Sequence, residues 1–231
     1  FRSGGLHIHV TLAPGEEKKI LFGLGYIENP QDEKFTAPGV INKERAHAMI
    51  ARYATDAQVD AARKALRYIK EGDIVALNSG TTNTVLSQEL AGLNLKFTVI
   101  TNNYAAIHIL MQNPSIRLIA VGGTVDPLER STYGTVCEEE FGRYRPDIAF
   151  LSINAVNYKD GYTDFRLDEI GVMQLLAQRA KMVIAVMDSS KLGRCSKREA
   201  LRPEDVDLLV MDDHVSADMK QKYQEKGISI L

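Results

Sequence analysis

The chain has 231 residues, of which 45% are hydrophobic and 25% are charged, and it carries a formal net charge of −2. This composition excludes a largely disordered chain, and the slight negative charge argues against a nucleic-acid-binding surface within these residues. The two cysteines are too few for a disulfide framework, and no apolar run is long enough to cross a membrane. We therefore expect a folded cytoplasmic protein with no membrane partner.

The first 70 residues combine one strand pattern, turn-rich charged loops and two helix patterns. The strand is predicted at 6–12, where apolar and polar residues alternate, and the helices at about 43–53 and 56–70. His7 and His9 share one face of the predicted strand, but no third metal ligand lies near them in the sequence. We therefore predict no metal and no cofactor.

From residue 72 onward, apolar segments of strand length alternate with helix patterns. The predicted strands are 73–78, 96–100, 116–121, 147–153 and 182–187, with later ones at 206–211 and 228–231. The predicted helices are at about 83–93, 104–112 and 216–226. Strands that are apolar on both faces predict an α/β fold, with a mostly parallel Rossmann-like sheet and helices on both faces. We expect residues 1–41 to be an arm or linker and residues 42–231 to form this domain.

A polar turn, Ser79-Gly80-Thr81-Thr82, follows the first of these strands, and Thr84 comes shortly after it. A helix that begins here presents unpaired backbone N–H groups and a partial positive charge, which suit a phosphate or a carboxylate. The same residues could instead only cap the helix, so the turn alone leaves both interpretations open. It is not a Walker loop, because no Gly-Lys-Ser/Thr sequence follows a glycine-rich run.

Short polar motifs also follow the next two strands, at the edge of the sheet where α/β proteins bind ligands. Thr101 and Asn102 follow the second strand, and the Asn side chain can hold a sugar hydroxyl or cap the next helix. Gly122 and Gly123 follow the third strand. Glycine there permits either a close approach of the backbone to a ligand or a plain turn.

The loops after the fourth and fifth strands carry charged groups. Lys191 follows the fifth strand and can act as a point charge for a phosphate, although a solvated surface lysine is the commoner case. The loop at 154–161 is followed by Asp164, Asp168 and Glu169. These carboxylates can serve as acid and base, or they can solvate the loop and favour the start of a helix.

Taken in chain order, these motifs resemble the sensor domain of DeoR-type bacterial transcription regulators. The matching motifs are Gly72-Asp73, Ser-Gly-Thr-Thr at 79–82, Thr-Asn at 101–102, Gly-Gly at 122–123, Gly134, Asp-Ile-Ala-Phe at 147–150, Gly161, Glu169 and Asp-Ser-Ser-Lys-Leu-Gly at 188–193. The resemblance covers about residues 59–231. It implies a fold similar to that of ribose-5-phosphate isomerase and coenzyme A transferases.

The resemblance also implies a homo-oligomer, a dimer or a tetramer, that senses a small phosphorylated metabolite and has no catalytic residue. Ser79 to Thr82 and Lys191 are implied to hold the phosphate. The other predicted ligand-binding residues are Thr84, Thr101, Asn102, Gly122, Gly123, Asn157, Asp160, Gly161 and Glu169. Arg2-Ser3-Gly4-Gly5 resembles the segment that leaves the family's winged helix-turn-helix. We therefore expect operator DNA to be bound only through a domain upstream of this chain.

The sequence departs from the family pattern in three places. The segment at 5–59 is longer than the family's usual connection between its domains. Asn157 stands where the family generally has an aspartate. Met173 stands near the usual place of a basic residue, which argues against a doubly charged ligand.

A sugar-phosphate isomerase-like enzyme is the main alternative, because it would share both the fold and the phosphate-binding turn. Proton abstraction would need a carboxylate base in the loop that contains Asn154 and Asn157. Amides cannot take up a proton at neutral pH, so the sequence favours a sensor without enzymatic activity. A purely structural interaction domain with a vestigial pocket is a third hypothesis.

Overall fold

The structure of the chain is a computed structural model that describes residues 35–37, 40–41 and 56–231. The chain divides into two compact units, Phe1–Ile50 and Ala51–Leu231. In the first unit, β1 (Phe35–Ala37) pairs with β2 (Val40–Ile41) in an antiparallel manner. Two predicted elements lie outside the described residues, namely the strand at 6–12, with His7 and His9, and the helix at 43–53.

The second unit alternates strands and helices along the chain. Its strands are β3 (Ile74–Leu77), β4 (Phe97–Thr101), β5 (Ile116–Ala120), β6 (Thr124–Asp126), β7 (Ser131–Tyr133), β8 (Ile148–Leu151), β9 (Ala155–Asn157), β10 (Gly161–Asp164), β11 (Met182–Val186), β12 (Arg198–Leu201) and β13 (Leu208–Val210). Its α-helices are α1 (Asp56–Ala65), α2 (Thr81–Ala91), α3 (Tyr104–Leu110), α4 (Thr135–Gly142), α5 (Ile170–Arg179) and α6 (Ala217–Gln224).

Six of the strands form one parallel sheet in the order β13-β11-β8-β3-β4-β5. Each agrees closely with a predicted strand, so the expected α/β class with a mostly parallel sheet is confirmed. Successive side chains of a strand point to opposite faces. Val75 and Leu77 accordingly belong to one hydrophobic core cluster, whereas Ala76 between them belongs to the other.

Helices cover both faces of this sheet, as the apolar strands predict. The helices α1, α2 and α3 bring Ala61, Leu86 and Leu110 into the core on one face. The helices α4 and α5 bring Phe141 and Leu176 into the core on the other face. A strand enclosed on both sides must be apolar along its whole length, because neither of its faces meets water.

Several short elements differ from the predictions. The helix predicted at 56–70 ends at Ala65 and continues only as a 3-10 turn at Leu66–Tyr68. The strand predicted at 228–231 is reduced to one parallel bridge between Ile230 and Leu209. The sequence does not predict the β6–β7 hairpin or the antiparallel sheet β12-β10-β9, whose strands have only three or four residues each. No helix in the described part of the chain is both long and apolar enough to span a membrane.

The order of the strands creates a crevice at their carboxyl ends. From β3 the chain continues through α2 to β4 on one side, whereas β8 lies on the other side of β3. The loops after β3 and β8 therefore diverge, and open α/β sheets bind ligands at such a point. The Ser79–Thr82 turn follows β3, and Ser152 follows β8.

Candidate functional site

The turn after β3 leaves the start of α2 without a side-chain cap. Gly80 precedes the helix with φ of 124° and ψ of 157°, and no side chain among the described residues caps this helix. The backbone N–H groups of the first turn therefore remain available as donors, beside the positive end of the helix dipole. Thr81 is exposed at this point, and Thr82 is buried. The turn thus has the geometry of an anion-binding helix start.

Lys191 reaches the same helix start from the loop after β11. Its Nζ lies 3.3 Å from the Oγ1 of Thr82, 3.4 Å from the carbonyl oxygen of Ile153 and 4.0 Å from the carboxylate of Asp188. Burial lowers the pKa of Lys191 below its usual range, although the Asp188 carboxylate acts in the opposite direction. The structure therefore brings together two predicted site elements that are far apart in the sequence.

Arg166 is the main residue of this site that sequence reasoning missed. Its guanidinium donates to both carboxylate oxygens of Asp164, at 2.9 and 2.7 Å. It also donates to the carbonyl oxygens of Ser79, at 3.0 Å, and Ser152, at 2.8 Å. Arg166 therefore joins the turn after β3 to the ends of β8 and β10. In the sequence, Arg166 is visible only as a single arginine in an acidic loop. An arginine exposed on the surface would give the same pattern.

Asn102 and Glu169 meet on another side of the crevice. The Glu169 carboxylate accepts hydrogen bonds from the Ser131 Oγ, at 2.9 Å, and from the Asn102 Nδ2, at 3.2 Å. Burial raises the pKa of Glu169, and a hydrogen bond with the Ser79 side chain, the Arg166 charge and the two hydrogen bonds above oppose that rise. The Oδ1 of Asn102 is buried and has no hydrogen-bond partner within the described ranges. A buried acceptor without a donor is costly, so a ligand donor would be favourable here.

Two of the predicted ligand-binding threonines form hydrogen bonds within the protein. The Thr84 hydroxyl donates to the Gly80 carbonyl oxygen, at 3.2 Å, and accepts from the Asn103 side chain, at 3.1 Å. The Oγ1 of Thr101, which is fully buried, accepts from the Asn103 backbone N–H at 3.1 Å. Both hydroxyls therefore support the turn and its neighbouring loop from within the protein.

The two glycines after β5 have different surroundings. An added Cβ at Gly122 would meet no atom of the described residues within 4 Å. Gly123 has φ of 142°, and a Cβ there would lie 2.8 Å from the Tyr133 carbonyl oxygen and 2.9 Å from the Cys137 Cβ. The close approach at Gly123 is therefore one to β7 and α4 within the protein.

Asn157, Asp160 and Gly161 lie together in the turn between β9 and β10. The Asn157 Oδ1 accepts from the backbone N–H groups of Lys159, at 2.8 Å, and Asp160, at 2.7 Å. Its Nδ2 donates to the Asp160 carboxylate, at 3.0 Å, and to the Arg194 carbonyl oxygen, at 3.1 Å. Both polar atoms of the Asn157 side chain are therefore engaged, three of the four bonds lying within the turn and one reaching Arg194.

The cations of the crevice differ from those that the sequence pattern suggests. Met173, near the place where the family pattern has a basic residue, is fully buried in the hydrophobic core. Lys191 and Arg166 supply positive charge there, and Arg166 is already paired with Asp164. In residues 35–37, 40–41 and 56–231, no three His, Cys, Asp or Glu side chains are grouped to hold a metal ion.

The parallel sheet and its polar crevice define an α/β domain of the Rossmann-like class. A family model described as "DeoR C terminal sensor domain" matches residues 54–213, which is well over half of the chain. The chain therefore belongs to the family of DeoR C-terminal sensor domains.

Relatives with the same domain are transcription regulators by name. The chain is 29% identical over 170 residues to the HTH-type transcriptional regulator GolR of Listeria innocua, covering 73% of this chain and 66% of that protein. It is 27% identical over 173 residues to the putative aga operon transcriptional repressor of Escherichia coli O157:H7, covering 74% of this chain and 63% of that protein. The chain thus spans slightly less than two thirds of these relatives.

Among solved structures, the tetrameric eIF2B-beta2-delta2 complex from C. thermophilum contains a chain with a similar fold. The TM-score is 0.52 and the sequence identity is 16%, and the match covers 79% of this chain and 62% of that chain. At this identity the likeness concerns the fold alone, and it agrees with the parallel sheet and helix layers described above.

Proposed function

We propose that this chain is the effector-sensing and oligomerisation part of a DeoR-type transcription regulator, and that its effector is a phosphorylated sugar or a similar small anionic metabolite. The proposal rests mainly on one observation, the approach of the Lys191 Nζ to within 3.3 Å of the Thr82 Oγ1 at an uncapped helix start. A cation beside the N-terminus of a helix is a favourable place for a phosphate group.

The burial of Lys191 supports this interpretation. Its side chain is 17% exposed, and its desolvation disfavours the charged form. A lysine kept in such a place costs stability in the absence of an anion, and perturbed titratable groups in a crevice are typical of binding sites. A bound phosphate would recover that cost through direct pairing with the ammonium group.

We propose that Asn102 and Glu169 bind hydroxyl groups on the remainder of the effector. A sugar hydroxyl can donate to the Asn102 Oδ1, which lacks a partner within the described part of the chain. The Glu169 carboxylate accepts from the side chains of Ser131, Asn102 and Ser79, and the two oxygens of a carboxylate together offer about four acceptor sites. The carboxyl end of β4 and the start of α5 would then select a polyhydroxylated ligand.

We propose that the effector changes operator binding by favouring one arrangement of a homo-oligomer, a dimer or a tetramer. Operator DNA would be bound through an N-terminal domain outside this chain, as the naming of its relatives as HTH-type regulators suggests. A ligand can shift such an equilibrium only as far as its affinities for the two arrangements differ.

The contacts of the carboxylates favour sensing over isomerase chemistry. Asp164 is paired with Arg166, and Glu169 accepts from Asn102 and Ser131. The loop after β8 has Asn157 in place of a carboxylate, and its amide forms a turn. A general base must be able to take up a proton from the substrate, so we assign no catalytic residue.

A thermal-shift titration with sugar phosphates and their unphosphorylated parents tests the proposal. At a hundredfold excess over Kd, a phosphate ligand should stabilise the chain by about 2.7 kcal/mol, which corresponds to roughly 5–10 °C in Tm for a chain of this size. We expect K191M to lose this stabilisation and K197M, at an exposed lysine on the same loop, to retain it. Equal stabilisation by the unphosphorylated parents would overturn the phosphate assignment.

A further inference from the structure

Asp188 occupies a position between the candidate anion site and helix α1. One of its carboxylate oxygens, Oδ2, lies 4.0 Å from the Lys191 Nζ and accepts a hydrogen bond from the Gln58 Nε2 at 3.3 Å. The other oxygen accepts from the backbone N–H and the hydroxyl of Ser190. The same carboxylate oxygen therefore interacts with the cation of the site and with the first turns of α1.

From these contacts we propose that Asp188 is a positioning residue that couples occupancy of the anion site to α1 through Gln58. The inference rests on the proposed function, because it requires an anion to bind beside Lys191. Through the Gln58 contact, binding at the anion site would regulate how firmly α1 is held.

The direction of the coupling follows from electrostatics. An anion at the start of α2 attracts the Lys191 ammonium group, which already lies closer to the Thr82 Oγ1 than to Asp188. The Asp188 carboxylate is then less neutralised by the Lys191 ammonium group. Because a hydrogen bond to a carboxylate is stronger when its negative charge is less neutralised, the bond from the Gln58 Nε2 to Asp188 strengthens. Anion binding should therefore hold α1 more firmly against the loop after β11.

A second contact keeps α1 in place when Gln58 is changed. The Lys64 Nζ donates to the Met211 carbonyl oxygen, at 2.8 Å, and to the Asp213 carboxylate, at 2.6 Å. Asp212, between them, accepts from the Ser189 backbone N–H at 2.6 Å, so this loop is bonded to the segment that carries Lys191. Three alanines of α1 are also fully buried. Q58L should therefore fold without the Gln58–Asp188 hydrogen bond, with α1 held by these other contacts.

Hydrogen–deuterium exchange of the full 231-residue chain tests the inference, with inorganic phosphate as the probe and chloride at equal ionic strength as the reference. In the unchanged chain, phosphate should slow exchange in peptides covering Asp56–Ala65 by about fivefold, the lower end of typical allosteric coupling. Q58L should still be stabilised thermally by phosphate, with an affinity lowered by no more than this factor because coupling is reciprocal, and should show no slowing in α1. D188N, which retains an acceptor but not the charge, should show a reduced effect.

The matched control is Q178L, at an exposed glutamine on α5, which should respond as the unchanged chain does. If phosphate stabilises the chain but exchange in α1 does not change, or if Q58L responds fully, the coupling inference is overturned and the proposed function stands. If phosphate does not stabilise the chain at all, both are overturned.

Discussion

Gly80 has a positive φ, and other atoms lie close to the place where a Cβ would be. Both features require a residue without a side chain. An alanine there would be strained by its backbone and would press on Ser152 and Arg166. We expect G80A to lower the free energy of unfolding by roughly 2–4 kcal/mol, from strain and overpacking together. Denaturant unfolding measures this loss.

The matched control for Gly80 is Gly72, which also has a positive φ of 85° but has open space where a Cβ would lie among the described residues. G72A carries the backbone strain alone and should cost about 1 kcal/mol. Equal losses for G72A and G80A would mean that the contacts with Ser152 and Arg166 add no cost, and that the turn after β3 tolerates a side chain.

Lys191 gives the anion site a predictable dependence on pH. Burial lowers its pKa, so in the free protein it loses its charge at a lower pH than an exposed lysine does. Affinity for sulfate, an anion that does not titrate in this range, should fall as the pH rises through that lowered pKa. Bound sulfate favours the ammonium form, so binding in this window should take up a proton.

Calorimetric titration with sulfate in buffers of increasing pH measures this effect. At alkaline pH the affinity of the unchanged chain should approach that of K191M, whose own affinity should hardly depend on pH. A pH profile that is the same in both proteins would mean that another group controls anion binding.

At the level of elements, we expect the Asn157 side chain to form the turn of the β9–β10 hairpin and not to contact the ligand. A substitution can distinguish these two roles. N157A removes the acceptor for two backbone N–H groups and should lower the free energy of unfolding by about 1–3 kcal/mol, while sulfate affinity stays unchanged. The control K159A, at an exposed side chain of the same turn, should stay within about 0.5 kcal/mol. Lost affinity with unchanged stability in N157A would instead establish ligand contact.

The parallel strands and the antiparallel hairpins differ in how well the sequence predicts them. Strands such as β8 and β11 are enclosed by helices on both faces, so burial imposes a continuous apolar pattern that is visible in the sequence. The short strands β6 and β7 contain Thr124, Asp126 and Ser131, and three residues are too few for an alternating pattern to emerge. Their pairing depends on the loops that they join.

At the level of the whole molecule, the topology of the sheet determines which site residues can be predicted. Motifs after successive parallel strands must lie along one edge, so the meeting of the Ser79–Thr82 turn with Lys191 follows from the strand order. The contact of Arg166 with Ser79 does not follow in this way. It depends on the path of β10, a strand outside the parallel sheet, and on the burial of Asp164.

The most direct test of the anion site is a crystal structure of the chain grown or soaked with inorganic phosphate. We predict a phosphate at the start of α2, accepting from the backbone N–H groups of Thr81 and Thr82 and within hydrogen-bond distance of the Lys191 Nζ. The K191M variant should show no phosphate there under the same conditions. A phosphate bound only elsewhere, or one that persists unchanged in K191M, would contradict the assignment of this crevice as the effector site.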